Sequence, residues 1–157
     1  MKHRATVLCI RQDCLLLVAK RGGRWAIPGG RRKRDEVLSR AAARELCEET
    51  QLTAYRVDYL FQFWGAHTRH FVFAAQLSPG AEARPDNEIA RCRWVKLRDV
   101  SRLPASIPTK AIVQYLLRSR SSLHRLQWIA EEYENDPLTE EPLEAHDASH
   151  DVSAPTV

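Results

Sequence analysis

Residues 30–52 read GRRKRDEVLSRAAARELCEETQL. Ala41-Ala42-Ala43 and Leu46 are strong helix formers, so a helix is predicted from about Val37 to Thr50. Neither Val37 nor Leu38 carries an oxygen to accept the free amides at its start, so no N-cap is visible. On that helix Glu45, Glu48 and Glu49 fall within about 100° of arc. Three carboxylates on one side repel one another unless a cation lies among them. The arrangement stabilises a helix poorly, but it suits a hard divalent metal that prefers oxygen ligands. Arg44 sits four residues before Glu48 and within reach of it.

The spacing around the cluster is more specific than the cluster. Gly30 is followed after five residues by Glu36, after seven more by Arg44-Glu45-Leu46, and then by Glu48-Glu49 and Leu52. This resembles the Nudix box, G-x5-E-x7-R-E-U-x-E-E-x-G-U, where U is bulky and aliphatic. Only the last glycine differs, being Gln51 here. From average residue frequencies, such a match arises by chance about once in a million chains of this size, which outweighs an ordinary ion-paired helix surface. Trp25-Ala26-Ile27-Pro28-Gly29-Gly30 also resembles the family's approach to its box.

The resemblance implies a Nudix fold of the α/β (α+β) class, a mixed β-sheet sandwiched between helices. It implies hydrolysis of a phosphoanhydride in a nucleoside diphosphate linked to another moiety, with Mg²⁺, or alternatively Mn²⁺, as cofactor. By position, Glu45, Glu48 and Glu49 and the backbone carbonyl of Gly30 would hold the metal. Arg44 and Glu36 would orient those carboxylates, since a guanidinium grips a carboxylate with two prongs. Glu88 is a further metal-ligand candidate before a late strand, with Glu82 and Asp86 as competitors. The family's glycine adopts a left-handed backbone that costs another residue roughly 1 kcal/mol, so a different helix ending is expected at Gln51.

Arg31 and Arg32, in the run Arg31-Arg32-Lys33-Arg34 beside Gly30, are candidates for substrate phosphate or for an RNA polyanion. Trp25 is a candidate stacking platform for a base, as are Phe63, Trp64 and Phe71, against the commoner role of such aromatics in a core. His67 and His70 read as structural. Two alternatives to a mononucleotide hydrolase stand beside it: a nucleotide-sensing domain that does not cleave, and removal of pyrophosphate from RNA 5′ ends. No proline falls between Leu52 and Ser78 and no tyrosine between Leu60 and Ser78, which counts against ADP-ribose and dinucleoside polyphosphate as substrates within the resemblance.

All 24 basic residues lie in 1–125 against 11 acids, a net +13 that suits a polyanionic substrate. Three parts are expected: a domain over 1–120, a helix over 121–134, and an acidic, disordered tail over 135–157. Cys9, Cys14, Cys47 and Cys92 form no metal-binding pairs and read as reduced, mostly buried thiols. No apolar run spans a bilayer and no leader is apparent at Met1, so no membrane association and a cytoplasmic location are expected. The oligomeric state, a homodimer included, is left open.

Elsewhere, apolar runs at 5–10 and 14–20 predict a hairpin through Arg11-Gln12-Asp13. A short strand near Trp25–Ile27 should stop at Pro28-Gly29-Gly30. Strands are expected over 55–64, with Tyr55, Val57, Tyr59, Phe61 and Phe63 on one buried face, then over 67–77 and 89–97, with a helix over 109–117.

Overall fold

The computed structural model describes residues 1–119 and His124. Strands β1 (Lys2–Leu8), β2 (Ile10–Arg11), β3 (Cys14–Lys20) and β4 (Gly29–Arg31) precede helix α1 (Leu38–Thr50). Strands β5 (Ala54–Trp64), β6 (Thr68–Leu77) and β7 (Ile89–Lys96), a 3₁₀ turn (Leu97–Arg102) and helix α2 (Ile107–Arg118) follow. The 121–134 helix and the acidic tail lie outside the described residues, apart from His124 in helical geometry. No described helix is long and apolar enough to cross a membrane.

A four-stranded sheet runs β4-β1-β6-β5, with β1 parallel to β6 and the other pairs antiparallel. A three-stranded antiparallel sheet runs β2-β3-β7. Side chains alternate across β1. Ala5 and Val7 pack with Ala41, Ala42 and Leu46 of α1, whereas Leu8 packs with Val72 of β6 and Ile112 and Leu116 of α2. The mixed sheet therefore separates two apolar cores, one under each helix, as the resemblance implies.

The structure corrects several local expectations. The predicted hairpin forms only near its turn, because the chain passes at the buried Cys9 from one sheet into the other and β1 pairs elsewhere. The short β2 pairs with β3 through a turn whose Gln12 and Asp13 both take positive φ. Trp25 and Ala26 contribute isolated bridges, while Gly29-Gly30, expected to end a strand, form the edge strand β4. A Cβ on Gly29 would strike the Ala5 carbonyl, and its φ of 144° favours glycine. On β5 a bulge leaves Leu60 unpaired between Tyr59↔Phe73 and Phe61↔Val72. Val57 thus faces the α1 core and Phe61 and Phe63 the α2 core, so the single buried face is wrong. The thiols are all free, but only Cys9 is fully buried; Cys47 is exposed.

Helix α1 starts at Val37 without a side-chain cap. Its other end is satisfied at each carbonyl. Gln51 N–H donates to Cys47 O, the Asn87 side-chain amide to Glu48 O, Asp86 N–H to Glu49 O, and Arg84 N–H to Thr50 O. Gln51 takes the left-handed conformation, φ 59°, that a glycine would take, so the helix does not end differently. Docking of the 84–87 loop and a 3.2 Å bond from Gln51 Nε2 to Asp86 Oδ2 hold it there. Gln51→Gly should therefore stabilise the protein by about 0.5–1 kcal/mol, measurable as a rise in the urea midpoint with unchanged m-value.

Candidate active site

Edge strand β4 and helix α1 build the site together. Gly30 lies opposite Ala5 on β1, and a Cβ there would overlap the carboxylate of Glu45. The missing side chain is a cradle for that carboxylate, which explains the glycine at the head of the motif. One residue earlier, Gly29 N–H donates to Glu49 Oε2 at 2.9 Å. Both contacts fix helix to strand through carboxylates rather than apolar groups.

Arg44 organises the remaining acids. Its Nε and Nη2 grip the two oxygens of Glu36 at 2.7 and 3.0 Å. Its Nη1 donates to Glu45 Oε1 at 2.7 Å and to Glu48 Oε2 at 2.9 Å, and Nη2 reaches Arg31 O at 3.1 Å. The Arg44 hydrogen bonds, aided by Lys33 N–H, hold Glu36 down to about 2. Glu36 therefore stays ionised across the working range. Its folded pKa lies below its unfolded one, so its contribution to stability is present above pH 4.5 and is lost as pH falls toward 2.

Glu49 is the buried acid, 8% exposed. Burial pushes it up to about 7 against the opposing pull of Gly29 N–H and Arg4, with Glu45 and Glu88 adding repulsion. Here the sign reverses: the folded protein binds the proton more tightly, so metal-free stability falls as pH rises from 4.5 through 7. In chelator, melting temperature should drop between pH 5 and 8 for the wild type and drop less for Glu49→Gln. Equal slopes for the two would contradict this origin.

Glu88 is brought within electrostatic reach of Glu49 by the loop that caps α1, and its carboxylate meets Lys20 Nζ at 2.6 Å. Of its competitors, Glu82 pairs with Arg84 at 3.6 Å and Asp86 bonds Gln51. Arg31 and Arg32 are exposed beside the cluster, and Arg32 Nη1 donates to Glu36 O at 3.3 Å. Trp25 is placed otherwise than the stacking role requires. It is 7% exposed in the α2 core, and the Arg91 guanidinium covers its ring at 4.6 Å. Phe63 and Phe71 are partly buried, and Trp64 is exposed but lies under Arg69 at 3.8 Å.

Among the described residues no three His, Cys, Asp or Glu side chains are already grouped to hold a metal ion. Glu45 and Glu48 turn toward Arg44 instead. The donor chemistry nonetheless fits a hard cation. Glu45, Glu48 and Glu49 all offer carboxylate oxygens, Glu45 is seated where Gly30 leaves room, and Glu49 is a buried carboxyl repelled by two other acids.

On the opposite face of the sheet a cavity of about 300 Å³ is lined by Arg4 and Thr6 of β1, His70 of β6, Ile27, and Ser106 and Thr109 at the start of α2. Thr6 Oγ1 and His70 Nδ1 lie 2.9 Å apart on its floor. Burial, then the charge of Arg4, lowers His70 to about 4, so it is neutral at pH 7. Sequence reading missed Arg4 and Thr6. Their signal was polar residues at alternate positions in an apolar strand, where one face cannot be core.

The family description NUDIX domain matches residues 1–116. Phosphatase NudJ of Escherichia coli K12 is 35% identical over 82 residues, 48% of this chain and 54% of that protein. A Mycobacterium tuberculosis protein named as an 8-oxo-dGTP diphosphatase is 30% identical over 96 residues, 56% of this chain and 44% of that one. The match spans about half the length of these curated relatives. The crystal structure of a Nudix hydrolase family member from Chromobacterium violaceum superposes with a TM-score of 0.69 at 26% identity, covering 87% of this chain and 97% of that one. With the family's pattern running from β1 into helix α2, and its box folded around Arg44, this chain belongs to the NUDIX domain family.

Proposed function

We propose that this protein hydrolyses a phosphoanhydride bond in a nucleoside diphosphate linked to another group, a nucleoside triphosphate or a related nucleotide. The observation that carries this is the joining of Glu45, Glu48 and Glu49 to Gly29-Gly30 and Arg44 at one edge of a sheet whose other face holds a ligand-sized cavity. Glu45, Glu48, Glu49 and the Gly30 carbonyl are the groups that would hold Mg²⁺, or Mn²⁺ in its place, and Glu88 is the additional candidate. The cation supplies charge screening for the phosphates and a lowered pKa for water.

The protein's own groups do the positioning. Arg44 fixes the directions of Glu36, Glu45 and Glu48, and Gly29 N–H fixes Glu49. Arg31 and Arg32 set positive charge beside the place where phosphates would lie. Ile27 and Ile112 give the cavity apolar wall, and Thr6, His70 and Ser106 give it polar groups to meet a nucleoside. In the reaction, a water oxygen bonds to phosphorus and the bridging oxygen leaves with the electron pair of the broken P–O bond. One water proton passes to a carboxylate or to solvent, and the leaving phosphate is protonated from solvent.

The test is product release from a panel of nucleoside triphosphates, ADP-ribose, nucleotide sugars, dinucleoside polyphosphates and 5′-triphosphorylated RNA, with Mg²⁺. Turnover of at least one member, lost in chelator, is expected. Binding without turnover would overturn the hydrolase in favour of a nucleotide sensor. RNA hydrolysis that falls on neutralising residues 31–34 while mononucleotide hydrolysis persists would shift the substrate to RNA 5′ ends.

A further inference from the structure

Arg4 lines the cavity and lies on β1, the strand next to edge strand β4 of the acidic site. On β1 it is opposite Arg31 of β4 on one side and His70 of β6 on the other. Its side chain lines the cavity with Thr6 and His70. It is half-buried, and among the described residues it has neither a hydrogen bond nor an ion pair for its side chain. Its guanidinium N–H groups are therefore not engaged by the described residues and can donate to an anion that arrives with the ligand.

We infer that Arg4 binds the phosphate adjoining the nucleoside, and thereby makes the site select nucleotides over uncharged nucleosides. This rests on the nucleotide hydrolysis proposed above. Arg4 is the one Lys or Arg lining the cavity among the described residues. His70 cannot substitute for it, because it is neutral and its Nδ1 is engaged with Thr6. The charge of Arg4 acts both on His70 in the cavity and on Glu49 in the acidic site. The forked guanidinium matches two phosphate oxygens at once, which a lysine cannot do.

The test compares the full chain with Arg4→Gln and Arg4→Lys by calorimetry, using the α,β-imido analogue of dGTP and, separately, deoxyguanosine, at fixed Mg²⁺. Arg4→Gln is expected to weaken the analogue by about 10- to 100-fold and deoxyguanosine by less than about twofold, with Arg4→Lys between. Undiminished affinity for the analogue overturns the assignment. So does equal weakening of both ligands, which would make Arg4 a wall of the cavity and nothing more. If Arg4→Gln does not fold, Arg4→Lys carries the comparison, and analogue affinity equal to wild type overturns the assignment. Wild-type turnover of the nucleotide panel is scored separately, so a protein that binds the analogue through Arg4 and cleaves nothing would sink the hydrolase alone.

Discussion

Glu49→Gln is expected to leave a folded protein whose kcat on its best nucleotide falls by about three orders of magnitude or more. The amide oxygen of glutamine can still accept from Gly29 N–H, so the join between α1 and β4 survives. What disappears is one negative charge at the only buried carboxylate of the motif's four glutamates. That charge is unfavourable in the metal-free fold, since burial pushes Glu49 up to about 7. The variant should therefore melt no lower than wild type at pH 8 in chelator, and should gain less from added Mg²⁺. Steady-state kinetics and thermal melts on the same sample check both halves. A fall in kcat of less than tenfold would remove Glu49 from the metal site.

Arg44→Met should act on stability first, costing about 3 kcal/mol. The Arg44 side chain is 19% exposed and the side chains of Glu36 and Glu45 are 15% and 16% exposed, so these charges lose partners in a place water reaches poorly. The Glu48 contact adds little, because that side chain is 41% exposed and screened. Lowering the pH should distinguish the cause. Wild type loses the Glu36 contribution as pH falls from 4.5 toward 2, whereas the variant, left with only the Lys33 contacts there, should show a flatter acid limb in urea unfolding. Added divalent cation should restore part of the variant's stability by replacing the lost positive charge. A loss below about 0.5 kcal/mol would mean the network is an ordinary surface cluster.

The helix and its acids were legible because helical spacing is a rigid ruler: residues at 0, 3 and 4 must share a side, and Arg44 must reach Glu48. The resemblance implied Gly30 only as a carbonyl ligand for the metal; that it makes room for a carboxylate fifteen residues on was not legible, since no local rule says so. The edge strand at Gly29-Gly30 was read as a breaker because glycine usually disfavours strands, yet here close approach to Ala5 and Glu45 requires it. On β5 the alternation of aromatics concealed the bulge at Leu60, which depends on pairing with β6 and leaves no local signature. Gln51 shows tertiary contacts overriding propensity, as the 84–87 loop holds a glutamine in a glycine's conformation. Trp25 was offered to a substrate, but its burial in the α2 core depends on Ala105, Leu103 and Arg91, which come from distant parts of the chain. The cavity was invisible for the same reason, being assembled from β1, β6 and the start of α2.

Hydrolysis of the best nucleotide in ¹⁸O-labelled water, with Mg²⁺ and then with chelator, tests most directly whether these glutamates serve water attack on a phosphoanhydride. One ¹⁸O atom should appear on a single phosphoryl product, with no product in chelator and none from Glu49→Gln. Label incorporation that persists in chelator, or cleavage that leaves both phosphoryl products unlabelled, would contradict it.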